Sequence, residues 1–221
     1  MTSNVVVAID GTSGSGKSST SRGVALALGL RYLDTGAQFR AMTWWMLEQG
    51  VDISDPEAVA ARAKEPALES GTDPADPTIT VDGTDVSDPI RGVEVTRAVS
   101  PVSTVPEVRA RLLELQRDII DDGGIVVEGR DIGSVVWPQA QVKVYLTAEA
   151  DARAERRAAE HAHLGDVEAT KADLLQRDVI DSGRLTAPLT MADGAVHIDT
   201  TAYTLDEVIA LIVSLVGAAD A

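Results

Sequence analysis

Short unbroken apolar runs alternate with longer amphipathic stretches along most of this chain. Val5-Val6-Val7-Ala8-Ile9 is continuous, β-branched and stops at Asp10-Gly11, as a strand buried on both faces does. Further runs predict strands over 32–34, 125–127, 142–146 and 196–199. Between them the spacing becomes helical. Val24, Ala25 and Leu28 share one side of a helix over 17–28, and a second helix is expected over 38–49. Val105, Val108, Leu112, Leu115 and Ile119 mark a clear amphipathic helix over 105–119, and further helices are expected over 150–162, 171–180 and 205–216. Strands alternating with helices in this way predict an α/β fold with a central parallel sheet covered on both faces.

The texture changes between about residues 66 and 89, where Pro, Gly, Asp and Thr accumulate. Thr78-Ile79-Thr80-Val81 alternates before Asp82-Gly83, and Thr84-Asp85-Val86 follows, a hairpin signal. The segment predicts a small antiparallel insert, with a disordered linker as the plainer alternative.

Length and charge narrow the options. At 221 residues the chain suits one domain with inserted lobes, and 44% hydrophobic residues supply a core. Only 3% are aromatic, so that core rests on aliphatic side chains. The net charge of −16 opposes binding to nucleic acid or anionic membrane. Lys17, Lys64, Lys143 and Lys171 are the lysines among 19 basic residues, so arginines must carry any anion recognition. Without cysteine, disulfides and thiolate metal sites are excluded. The N-terminus carries no basic leader and the apolar stretch 208–219 is too short for a bilayer, so a soluble cytoplasmic protein is expected.

Gly11-Thr12-Ser13-Gly14-Ser15-Gly16-Lys17-Ser18 satisfies G-x-x-x-x-G-K-[ST], with a strand before and a helix after. Its glycines let backbone N–H groups wrap a phosphate chain, Lys17 can reach the β- and γ-phosphates, and the Ser18 hydroxyl can ligate Mg²⁺. Open parallel sheets bind ligands at the carboxyl ends of their strands. There the sequence places Asp10, Asp34-Thr35-Gly36, Glu128-Gly129-Arg130-Asp131, Thr147 and Asp199. Arg130 between two carboxylates suggests a rigid phosphate clamp.

At these motifs the chain resembles the bacterial cytidylate kinases, a branch of the nucleoside monophosphate kinases. The likeness extends to Leu33-Asp34-Thr35-Gly36-Ala37-Gln38-Phe39-Arg40, to Ser100 followed by Arg109, to Gly129-Arg130-Asp131, and to Arg177-Asp178 with Asp181, Arg184 and Ala187-Pro188-Leu189. It implies a P-loop three-layer fold over 1–221, with a monophosphate-binding insert over 36–100 that carries a small antiparallel sheet, and a short helical lid over 153–186. It implies ATP, held by Gly11 to Ser18 and Ser19, as co-substrate, Mg²⁺ as cofactor, CMP or dCMP as acceptor, and a monomer.

Residue by residue, the resemblance gives Arg40, Arg130 and Arg184 to the acceptor phosphate, beside Thr35 and Gly36. Ser100, Arg109 and Asp131 would read the cytosine, and Arg177 and Asp181 would hold the ribose. Lys17, Arg130 and Arg184 would assist transfer, and Arg153 and Arg157, four apart on one helical face, would belong to the lid over ATP. A solvated helix pairing with Glu149 or Glu160 is the alternative for the last two. Thr35 and Phe39 stand where the family usually has Ser and Tyr, and Val179-Ile180 and Ser182-Gly183 replace more polar lid residues.

Other readings remain. Thr170-Lys171-Ala172-Asp173 imitates a guanine-recognition motif of GTPases, although it falls in a helical pattern. A kinase for UMP, AMP or a shikimate-like acid shares the phosphate loop. His161 and His163 face different sides of a helix, which predicts solvated surface, and Trp44 and Trp45 are expected to pack.

Overall fold

A computed structural model describes residues 4–160, 167–184 and 186–219. The histidines at 161 and 163 and the side chain of Arg157 lie outside the described residues.

Strand β1 (Val6–Gly11) is buried along its whole length at the centre of a parallel sheet. It is flanked by β6 (Ile125–Gly129) and β7 (Val142–Thr147), and the edges are β2 (Arg31–Asp34) and β8 (Val196–Asp199), giving the order β2-β6-β1-β7-β8. Register pairs Asp10 with Gly129 and Tyr145, and Asp34 with Glu128, so the acidic strand ends meet on one rim. Alternation divides β1 between two cores. Val5, Val7 and Ile9 pack with Val24 and Ala25 of α1 (Lys17–Leu28) and with Val208, Ile212 and Val216 of α8 (Leu205–Ala219). Val6 and Ala8 pack with Leu33, Val127 and Ile120, the last from α5 (Pro106–Asp121).

A third core lies between β2 and β6 in the chain. It joins Met42, Trp45 and Met46 of α2 (Thr35–Glu48) to Val59 of α3 (Pro56–Arg62), to Ile79 and Val81, to Val102 of α4 (Val93–Thr104), and to Val108 and Leu112 of α5. The segment over 66–89 is an ordered antiparallel sheet of β3 (Leu68–Ser70), β4 (Ile79–Val81) and β5 (Thr84–Asp85). The linker alternative therefore falls. Trp45 is buried, its indole N–H donates to Asp82 at 2.9 Å and Arg62 lies over its ring, which leaves no free face for base stacking.

Three elements depart from the expectations. Helix α2 starts at Thr35, immediately off β2, because the Asp34 carboxylate caps it by accepting from the Ala37 N–H at 3.0 Å. Helices α3 and α4 had no counterpart in the reading of the sequence. Helix α3 is a short helix opened by Asp55-Pro56, and α4 is rich in β-branched residues and contains Pro101. Beyond β7 lie α6 (Ala150–Glu160) and α7 (Val167–Gly183), packed on each other. Among the described residues no helix is long and apolar enough to cross a membrane.

Candidate functional site

The turn from β1 into α1 is built around glycines for steric reasons. A Cβ on Gly11 would lie 2.0 Å from the Leu146 carbonyl oxygen of β7, and Gly16 caps α1 at φ 86°, in the left-handed region. Lys17 opens α1 with its side chain buried, and its ammonium donates to the Thr12 carbonyl at 2.6 Å, the same oxygen that accepts from the Ser15 hydroxyl at 3.0 Å. Burial, helped by the Arg130 charge, lowers the Lys17 ammonium below its ordinary range, against the pull of Glu128 and Asp10. A phosphate chain would restore the charged form. Ser18 and Ser19 present their side chains to an open cleft of about 500 Å³.

Two strand-end carboxylates organise the floor. Asp10 accepts from the Ile132 and Gly133 N–H groups, both at 2.8 Å, and so shapes a π-helical turn over Ile132–Val136 that directly follows Asp131. Burial lifts its carboxyl to about 6 even though those two bonds pull it down. Glu128 accepts from the Ser18 hydroxyl at 3.0 Å with one oxygen and from the Tyr32 hydroxyl with the other. Burial first, and then the Asp34 charge, push Glu128 up to about 7.

Stability should therefore depend on pH through Glu128. A carboxyl whose folded value exceeds its unfolded one holds an extra proton when folded. Its ionisation opposes folding increasingly as pH rises through that interval, here from the ordinary 4.5 to about 7. Glu128→Gln removes this opposition, so it is expected to melt above the wild type at about pH 8 and to lose that advantage near about pH 5. Thermal melts by circular dichroism check this; a variant melting lower at the alkaline pH would mean that the carboxylate's hydrogen bond from Ser18 and its attraction to Lys17 outweigh burial.

The same cleft is lined by Thr35, Gly36, Arg40, Ser100, Arg130, Asp131, Arg177, Asp181 and Arg184. The Thr35 hydroxyl donates to the Glu128 carbonyl at 2.7 Å and fixes the β2–α2 corner. Thr96 of α4 gathers two arginines, taking Arg40 on its hydroxyl at 3.0 Å and Arg177 on its carbonyl. The pairing of Arg130 differs from the expected clamp. Its Nε donates to Asp181 at 2.9 Å, while Glu128 holds Ser18 and Tyr32, and Asp131 pairs with Arg109. Burial lowers the Arg130 guanidinium, but the charges of Asp181, Asp178 and Glu128 outweigh it and the net shift is upward. Arg184 lies 3.7 Å from the other Asp181 oxygen, and its buried Nε and Nη2 have no acceptor among the described residues. Two unpaired guanidinium donors beside a cleft call for an anionic oxygen.

Arg109 is buried behind Asp131, donating also to the Ser103 carbonyl at 3.2 Å and packing over Phe39, rather than forming part of the cleft wall. Burial raises the Asp131 carboxyl, and Arg109 and Arg184 oppose that rise.

Among the described residues Arg153 pairs with Asp178 and not with Glu149, and the side chain of Glu160 lies outside them. Arg153 is buried, donates to the Ser13 carbonyl at 3.0 Å and pairs with Asp178 at 2.5 Å, and Asp178 in turn accepts from the Ser13 N–H at 3.4 Å. Helices α6 and α7 are thereby tied to the phosphate loop itself. The Thr170–Asp173 tetrapeptide lies within α7, where Lys171 pairs with Asp151, and so follows no strand as a guanine-binding loop would. Tyr32, Thr96 and Asp178 were given no role at the expected site, whereas Asp10 was placed only as a strand end and Glu128 was expected to flank Arg130 rather than to hold Ser18 and Tyr32. For Asp10 and Glu128 the signal was present, since each ends a strand beside the phosphate loop. For the others only tertiary contacts reveal it.

Comparison with known proteins decides the family. A family model described as cytidylate kinase matches residues 7–218. The chain belongs to the cytidylate kinase family. A cytidylate kinase of Streptomyces coelicolor is 60% identical over 96% of this chain and 92% of its own. One of Streptomyces griseus is 59% identical over 97% and 93%. In fold, the chain resembles the crystal structure of an uncharacterized protein from Eubacterium ventriosum, with a TM-score of 0.55 at 11% identity over 97% of this chain and 99% of that one. The cytidylate kinase family implies ATP as co-substrate, which matches the phosphate loop described above.

Proposed function

We propose that this protein transfers the γ-phosphoryl group of ATP to the phosphate of CMP, and of dCMP, to give the diphosphates. The observation that carries this is a single cleft holding both the Lys17 phosphate loop and the Arg40, Arg130 and Arg184 cluster, in a chain of net charge −16. A locally cationic wall in so acidic a protein indicates a second phosphate beside the first. The ATP phosphates lie along Gly11 to Ser19 with Lys17 on the β- and γ-groups, and the acceptor phosphate lies against the arginines with Thr35 and Gly36. An acceptor oxygen attacks the γ-phosphorus as the bond to the bridging oxygen of ADP breaks. The acceptor is already ionised, so no general base is needed. Catalysis is alignment and charge neutralisation.

The donor set suits Mg²⁺. Among the described residues no three acidic or histidine side chains cluster as a closed metal cage, and Mg²⁺ in such sites takes one or two protein oxygens plus phosphates. The Ser18 hydroxyl and Glu128 carboxylate would hold it. When bound, the ion neutralises charge on the β- and γ-oxygens. We assign 153–186 to a lid, which Arg153 ties to the phosphate loop, and 36–100 to a monophosphate-binding lobe; the Arg157 side chain expected to join the lid lies outside the described residues. Closing the first over ATP would exclude water.

Asp181 has a task besides the ribose, because its two oxygens face Arg130 and Arg184. Asp181→Ala should raise KM for CMP and dCMP together by about tenfold or more, the loss expected for charge-assisted hydrogen bonds. Steady-state kinetics with both nucleotides check it; a loss confined to CMP would return Asp181 to the ribose alone. The proposed reaction itself is tested with γ-labelled ATP. The label is expected in CDP, whereas label released as inorganic phosphate whether or not CMP is present would overturn the proposal.

A further inference from the structure

The phosphate loop leans on a residue that no part of the reaction uses. Tyr32 is 2% exposed, its ring packed in the core that contains Val24, Ala25 and Val126. Its strand is pinned where the Tyr32 N–H donates to the Thr72 carbonyl at 2.9 Å. Register pairs Tyr32 with Val126 and Asp34 with Glu128, and the two-residue period of a strand puts Tyr32 and Glu128 on the same face of the sheet. The Tyr32 hydroxyl donates to Glu128 Oε1, and the Ser18 hydroxyl donates to Oε2 at 3.0 Å. Each carboxylate oxygen therefore has one addressed partner, the packed phenol of Tyr32 for Oε1 and Ser18 of the phosphate loop for Oε2.

We propose that Tyr32 is a positioning residue for the divalent cation: it holds Glu128 so that Oε2 is turned to Ser18 and the cleft. This rests on the reading of Ser18 and Glu128 as the Mg²⁺ corner. Glutamate has three side-chain torsions, and nothing in the strand itself decides which way the carboxylate faces. The Tyr32 ring, fixed by packing, decides it. Groups that orient a metal ligand without touching the metal change metal affinity when removed, by about 10- to 100-fold. The competing view is that Tyr32 is a packing residue whose hydroxyl merely finds an acceptor.

Calorimetric titration of the protein with ADP, once with Mg²⁺ and once with EDTA, separates these views without any turnover. For the wild type, Mg²⁺ should tighten ADP binding markedly. In Tyr32→Phe, which keeps the ring and so the packing, the ratio of the two dissociation constants should shrink by about tenfold. Adding Tyr32→Phe to Glu128→Gln should change the ratio no further, because the oriented group is already gone. Tyr32→Leu removes the ring as well; its melting temperature should fall, while its Mg²⁺ ratio should shift no more than that of Tyr32→Phe. A Tyr32→Phe ratio equal to the wild type overturns the positioning role. A wild-type ratio near one would instead contradict the Mg²⁺ reading of Ser18 and Glu128, so the two failures are distinguishable.

Discussion

Lys17→Ala is expected to fold normally and to lose about 10³-fold or more in phosphoryl transfer, because it removes a positive charge from the transferring group in a partly desolvated site. Such a loss corresponds to about 4 kcal/mol of transition-state stabilisation. Folding should survive for a reason visible in the structure. The ammonium is buried, its charged form is disfavoured by that burial, and its hydrogen bond is to the loop's own Thr12 carbonyl. Alanine relieves that cost. Turnover numbers and melting curves on the same preparations check both halves. Wild-type turnover with an unchanged melt would remove Lys17 from the reaction.

Asp131→Ala is expected to narrow the preference for CMP over UMP by at least about tenfold. Cytosine offers an N4 amino donor and an N3 acceptor, where uracil offers an O4 acceptor and an N3–H donor. A carboxylate accepts from N4, as Asp and Glu do in reading cytosine in DNA. Facing UMP, the buried carboxylate meets a carbonyl oxygen and loses its partner, a mismatch that supports discrimination of up to about 10⁴-fold. If Asp131 only oriented Arg130 for the acceptor phosphate, both substrates would suffer alike. The structure weakens that rival, since Arg130 is held by Asp181 and Asp131 by Arg109. The variant leaves Arg109 buried without its carboxylate, so a lower melting temperature is also expected. Comparing kcat/KM for both nucleotides at a temperature where the variant is folded decides the matter. An unchanged ratio would sink the base-reading role.

How much of this could be read from the sequence depended on whether the cause was local. Strands β1 and β6 follow from unbroken runs rich in β-branched residues, β2, β7 and β8 from shorter or interrupted apolar runs, and α1 and α5 from apolar residues at helical spacing. The phosphate loop was legible because its chemistry is compressed into consecutive residues ending in Gly16-Lys17-Ser18. Helix α4 was not, because Val93, Val95, Thr96 and Val99 read as poor helix formers and Pro101 interrupts the pattern. There the helix is held by packing of Val95, Ala98 and Val102 rather than by propensity. The π-helical turn after Asp131 depends on Asp10, more than a hundred residues earlier. Pairings inside the site were hidden for the same reason. The neighbours of Arg130 in the chain are Gly129 and Asp131, yet the carboxylate that orients it is Asp181, on a different element. Sequence identified which residues meet at the rim; the fold assigned which carboxylate holds which cation.

The proposed reaction joins the γ-phosphate of ATP to a cytidine monophosphate in one cleft. It is tested most directly by coupled measurement of ADP release with CMP, dCMP, UMP, AMP and shikimate, each titrated against fixed Mg·ATP. CMP and dCMP should give the highest kcat/KM, UMP should trail CMP by at least about tenfold, and AMP and shikimate should stay near the rate without acceptor. Shikimate or AMP matching CMP, or ADP release that ignores the acceptor altogether, would contradict it.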